Sequence, residues 1–423
     1  MRPLLVWALA ATAAGGAEHR VRNPEALARA LDQARPGDHV VLAAGTWRDA
    51  DLLVEAAGTE EATVTVRAEA PGRTILAGRS RLRLAGSHVT VSGLVFRNAW
   101  HEEDLVQFRR DAKRPASDCR LTDCVLEDCN APRDRARETR WIGIYGSRHR
   151  IDHCRIEGKT TKGATVVVWL DASPEPEDGP PAHRIDHNIF GPRPRLGENG
   201  GETLRIGDSK TSRTLAGVTV EANAFEACDG EAEIISNKSC GNVYRGNVFT
   251  RCSGALTLRH GDDCVVEGNV FLGHGAAGTG GVRVVGEGHR VVGNHFADLA
   301  GTDQRAGLCV MNGLRDSPLN GYARVRNLLV SGNTWMNCRQ PIRFGLTDED
   351  AGNDLAPESV TFAGNRFAGP HPVLAPPEAR SMAGVDWRGD NETTDSPSED
   401  FRPAAAPPDR GNLGPSHGDA EER

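Results

Sequence analysis

Glu231 and Glu233 stand two apart in the run Glu231-Ala-Glu-Ile-Ile-Ser-Asn-Lys238. On an extended strand that spacing sets both carboxylates on one face, about 7 Å apart, where like charges repel. A hard cation relieves the repulsion. With oxygens from Asn199 and Glu202 of Asn199-Gly-Gly-Glu202, the four side chains form a donor set suited to calcium. The other reading of the same residues is a solvated acidic patch balanced by Lys238 and nearby arginines.

Lys238 and Arg259, the latter in Leu258-Arg-His-Gly261, add a reaction to the cage. A uronate sugar carries a weakly acidic hydrogen alpha to its carboxylate, and removing it requires that the carboxylate charge be neutralised. Calcium supplies that charge. A lysine then takes the C5 proton if its pKa is lowered, as a neighbouring arginine and a metal would lower it. Arg259 is placed to meet the glycosidic oxygen as the C4–O bond breaks, stabilising the leaving group or returning a proton. The product would hold a C4–C5 double bond. Taken singly, Lys238 or Arg259 reads as half of a surface ion pair; taken together, they read as base and leaving-group partner.

An internal repeat must bring these residues together. The frame Asn-x-aromatic recurs at Asn188, Asn223, Asn247, Asn269, Asn294, Asn333 and Asn365, and three earlier segments keep the frame with Leu94, Cys124 and Cys154 in place of Asn. Steps of 22 to 39 residues are the period of stacked coils. Short Val/Ile/Thr-rich runs alternate with Gly, Asn and Asp, without a sustained helical period, so the units are strands. The expected fold is all-β: a right-handed parallel β-helix of about ten or more coils, each about 4.8 Å above the last. The repeated Asn then forms an amide ladder at a left-handed turn. Cys129, Cys228, Cys252 and Cys338 each follow the ladder position by five and read as small buried side chains, with a disulfide between coils as the alternative. Lys238 stands nine before Asn247 and His260 nine before Asn269, which makes them neighbours along the axis.

The ends differ from the middle. Residues 1–17 read as a signal peptide, with Arg2, an apolar stretch from Leu4 to Ala14 and the small residues Gly15-Gly-Ala17, which places the protein outside the cytoplasm, secreted or periplasmic. Asn23-Pro24 opens a helix that would cap the first coil. The lyase-like β-helix is expected over 18–369, and the Pro-rich stretch 370–423 as a poorly ordered tail. A formal charge of -8 argues against nucleic acid as the partner, and no apolar run after the N-terminus is long enough to span a membrane.

Asn199-Gly-Gly-Glu-Thr-Leu-Arg-Ile-Gly207, Glu231 to Ser239 and Leu256-Thr-Leu-Arg-His-Gly261 resemble polysaccharide lyase family 6, the alginate lyases and chondroitinase B type enzymes, and the resemblance runs from about Pro36 to Phe367. It implies a parallel β-helix, a Lys238 base and Arg259 acid, and a calcium held by Asn199, Glu231 and Glu233, with Glu202 as a further ligand in alginate-type members. Gly280-Gly-Val-Arg283-Val also resembles the family and implies that Arg283 and His260 hold substrate carboxylates or hydroxyls. The implied partner is an anionic polysaccharide. Alginate is favoured because Arg339 and Arg343 make only a modest basic cluster for sulfates; a dermatan or chondroitin sulfate lyase and a non-catalytic carbohydrate-binding β-helix are the alternatives.

Overall fold

The computed structural model describes residues 16–131, 137–171, 179–197, 199–371, 373 and 384–395. Most of the signal-peptide expectation lies outside them. The chain winds through three long parallel sheets of 14, 13 and 11 strands, and a full coil contributes one strand to each sheet. One coil shows the pattern: Val243–Arg245 in the first sheet, Val248–Thr250 in the second, and Ala255–His260 in the third. The next coil repeats it in register, Tyr244 opposite Val266 and Phe249 opposite Phe271.

The expected amide ladder stands at the corner between the first and second sheets. Asn223 Nδ2 donates to Asn247 Oδ1 at 3.0 Å, and Asn247 Nδ2 donates to Asn269 Oδ1 at 2.9 Å. Each ladder Asn is fully or almost fully buried, so these bonds satisfy amides that would otherwise be costly to desolvate. The residue before each ladder position has a positive φ, 60° at Gly246 and 61° at Gly268, and this is why glycine precedes Asn so often in the frame.

The aromatic two residues later makes a second stack. Rings of Phe190, Phe225, Phe249, Phe271, Phe296, Trp335 and Phe367 lie 4.6–5.0 Å apart, nearly parallel. Burying each such ring stabilises the fold by roughly 1.5–3 kcal/mol. All ten cysteines are free thiols, and every one but Cys240 is buried, in keeping with the packing reading.

The helix Pro24–Gln33 begins as expected. Asn23 Oδ1 accepts from the Ala26 amide at 2.8 Å, and Leu27, Ala30 and Leu31 are buried on the first coil. Most of the expected tail over 370–423 lies outside the described residues; among those described, residues 384–395 carry the winding further in two of the sheets. Val385–Trp387 pairs with the first sheet and Glu392–Thr394 with the second. Asn391 extends the ladder, accepting from Asn365 Nδ2 at 2.9 Å, and Trp387 packs on Phe362 and Phe367.

Candidate active site

The third sheet carries the chemistry. Its strands alternate inward and outward residues, so Ile235, Leu256 and Val282 line the core while Ser236, Thr257 and Arg283 pair in the outward row between them. The strand Glu233–Lys238 pairs with Ala255–His260 with two irregularities. The second matters most. Asn237 lies opposite Leu258 and Lys238 opposite His260, which leaves Arg259 as the extra residue of a bulge. A bulge re-aims a side chain, and this one brings His260 opposite Lys238 with Arg259 beside it. The count back from the ladder Asn residues gave the Lys238–His260 alignment correctly.

Arg259 is held from three sides. Its Nη1 donates to Gly321 O at 3.0 Å and lies 3.5 Å from His260 Nδ1, while its guanidinium sits 4.2 Å from the centre of the Tyr322 ring. Tyr322 in turn donates to Asp348 Oδ2 at 2.7 Å. Neither Gly321, Tyr322 nor Asp348 was found from sequence, because the two loops that bring them lie about sixty and ninety residues further on and carry no repeat signal.

His260 is buried, and its pKa is pushed down to about 3, first by burial and then by the charges of Arg259, Lys238 and Arg283. It is therefore a neutral imidazole at neutral pH.

The acidic residues converge, though not in the manner the spacing implied. Glu231 precedes the strand, which begins at Glu233, so the two are not partners on one strand face. They meet because the chain bends at 229–232. Glu231 Oε2 accepts from the amides of Gly200 at 2.8 Å and Gly201 at 3.2 Å. Burial, then Glu202 and Glu233, pushes the Glu231 carboxyl up to about 7. Glu202 is buried, and its Oε2 has no hydrogen-bond partner. Asn199 is exposed at the rim of the same loop.

Arg283 is engaged within this group. It ion-pairs with Glu233 Oε1 and donates to Gln304 Oε1 at 2.9 Å, both partners of the ion pair being largely buried. The substrate role implied for it thus competes with a protein carboxylate. Arg343 lies two rungs further along the same row, beyond Cys309, and its Nε is 3.5 Å from Asp303 Oδ1. It is half-exposed and sits apart from the Lys238 cluster.

Three carboxylates that repel one another and an orphaned buried oxygen on Glu202 fit a bound cation. Among the described residues no three His, Cys, Asp or Glu side chains are already gathered in ligand geometry, and one Glu233 oxygen is taken by Arg283.

A profile of the Chondroitinase B family matches residues 21–373. No curated protein matches the chain. Among solved structures, the PL6 family alginate lyase AlyGC is 38% identical over 95% of this chain and 57% of its own, with a TM-score of 0.84. A point mutant of the same enzyme is 39% identical over 90% of this chain and 52% of its own, with a TM-score of 0.81. A mannuronic acid specific family 6 lyase from human gut microbiota is 32% identical over 90% of this chain and 87% of its own, with a TM-score of 0.77. The chain therefore spans little more than half the length of AlyGC. A match across more than four-fifths of the sequence, on a parallel β-helix whose third sheet gathers the expected lysine, arginine and carboxylates, makes this chain a member of the chondroitinase B family, the polysaccharide lyases of family 6.

Proposed function

We propose that the protein is an exported polysaccharide lyase that cleaves alginate by β-elimination. The observation that carries this reading is the bulge that sets Lys238 opposite His260, with Arg259 Nη1 3.5 Å from His260 Nδ1, on the sheet that also carries Glu233. Neutral Lys238 Nζ takes the C5 proton, the C5–H electrons form the C4–C5 double bond, and the C4–O bond breaks with its electron pair on the departing oxygen. That oxygen takes a proton from Arg259 and leaves as a hydroxyl; Lys238 releases its proton to water, from which Arg259 regains its own. Tyr322 and Gly321 hold Arg259 in place for that contact. His260, neutral and buried, orients the sugar by hydrogen bonding. A calcium held by Asn199, Glu202, Glu231 and Glu233 would supply the positive charge that neutralises the uronate carboxylate.

Alginate is favoured as substrate because the similar solved enzymes of 32–39% identity are described as alginate or mannuronate lyases. Export rests on the Met1–Ala17 segment. Among the described residues no helix is long and apolar enough to cross a membrane.

The test is absorbance near 235 nm with polymannuronate, polyguluronate and dermatan sulfate, each with calcium and with a chelator. A signal on an alginate block that disappears in Lys238→Ala supports the reading, and full activity in that variant rejects Lys238 as the base. A signal on dermatan sulfate alone moves the substrate to the sulfated class. Binding without any new absorbance favours a carbohydrate-binding protein.

A further inference from the structure

Arg193 lies beneath the acidic cluster, outside every motif that pointed to the chemistry. It follows the second-sheet strand Ile189–Phe190 and pairs with Cys228 of the next coil. It is 2% exposed, and among the described residues its guanidinium makes no hydrogen bond to a carboxylate. Instead it binds backbone carbonyls. Nη2 donates to Thr161 O at 3.0 Å, Gly163 O at 2.8 Å and Gly200 O at 3.2 Å, and Nη1 donates to Glu202 O and to Thr165 Oγ1 at 3.2 Å. The same side chain passes under Gly230, where an added Cβ would come within 3.0 Å of Arg193 Nε.

These contacts span three coils. They fix both ends of the Gly200–Glu202 segment, whose own residues supply little to hold it. Gly200 has a φ of +96°, and a Cβ at Gly201 would strike the Gly230 backbone at 2.4 Å, so the segment must be glycine and lacks packing side chains of its own. Its amides are nevertheless aimed at Glu231 Oε2. Burying a guanidinium without a paired carboxylate is expensive, and an apolar side chain would often be the more stable choice. Burial draws the Arg193 pKa down to about 10, opposed by the charge of Glu202 and, more weakly, of Glu231, so the group remains a cation under the acids.

We propose that Arg193 is a positioning residue that holds the 199–202 segment in the shape that presents Asn199 and Glu202, and the Gly200 and Gly201 amides, to Glu231. The proposal rests on the cation-site reading above and extends it to a residue that touches neither substrate nor ion.

Calorimetric titration with calcium chloride tests it on the full chain. Loss of an outer-shell support typically weakens metal binding by about 10- to 100-fold, and that loss is expected in Arg193→Met, with Arg193→Lys intermediate. A ladder variant, Asn247→Ala, serves as control: it should lower thermal stability without moving calcium affinity. An affinity for Arg193→Met within about tenfold of the wild type overturns the proposal. If the wild-type protein binds no calcium, the cation reading fails, and hydrogen exchange decides on Arg193 independently. In calcium-free wild type the amides of Gly163 and Thr165, which donate to Gly200 O at 2.7 Å and Glu202 O at 3.0 Å, should exchange slowly. Fast exchange there without calcium means that Arg193 does not order the segment, and this measurement needs no variant that folds.

Discussion

Arg283 holds the carboxylate of Glu233 from two strands away in the third sheet, with only 6% and 14% of the two side chains exposed. A residue that sequence resemblance assigns to the substrate therefore also restrains a proposed metal ligand.

Removing one member of such a pair leaves the other charge buried and alone, at a cost of about 3–5 kcal/mol. Arg283→Met should lower urea stability by that order in calcium-free buffer, and Arg283→Met with Glu233→Gln should recover most of it. Additive losses in the double variant, measured by equilibrium unfolding, would show that the pair is not coupled.

Tyr322 supports Arg259 through its ring face, a contact worth about 1 kcal/mol in a partly desolvated setting. In Tyr322→Leu, kcat on the preferred alginate block should fall by roughly fivefold while KM changes little. A change in KM alone would place Tyr322 at the substrate and not behind Arg259.

Acid should destabilise the N-terminal coils for a reason separate from the site. His149 and His183 stack with ring centres 5.2 Å apart, and each accepts a backbone N–H through Nδ1. Burial holds the His149 pKa down at about 4, and burial, followed by the charge of His149, holds His183 well below the ordinary value. The unfolded chain then binds more protons than the folded one below about pH 6.5, so stability is complete above that pH and is lost as pH falls toward 4. For His149 the loss is about 3 kcal/mol. Urea midpoints at pH 7 and pH 4.5 should differ less in His149→Gln than in the wild type; an identical difference would show that this imidazole is not the titrating group.

The amide ladder has its own signature. Asn247→Ala removes the acceptor for both Asn223 N and Asn223 Nδ2 at 3.0 Å and the donor to Val220 O at 2.9 Å. Unmet buried groups of this kind cost about 1–3 kcal/mol each. Thermal unfolding should shift down by several degrees, with KM unchanged; a large change in KM would mean that the corner and the third sheet are mechanically linked.

The solenoid was legible because its signal is written into every coil. Asn-x-Phe reports a buried amide corner and a ring stack at once, and the count between Lys238, His260 and the ladder gave the alignment of those two residues on adjacent strands. What sequence did not show are relationships between segments without a shared frame. The bulge at Arg259 shifts register by one residue and leaves no compositional trace. Arg193 works through carbonyl groups, which every residue possesses. The last coil escaped because Asn391-Glu-Thr393 lacks the aromatic, its ring being supplied by Trp387 from a different strand.

The corner that clamps the pitch of the winding and the wall that bears Lys238 are different surfaces of the same tube. Insertions between rungs can therefore lengthen the rim, altering how deep a cleft a sugar chain must enter, while the vertical spacing of the reacting groups stays anchored by amides on another side. Evolution is free to re-cut the bank of the channel without moving its bed.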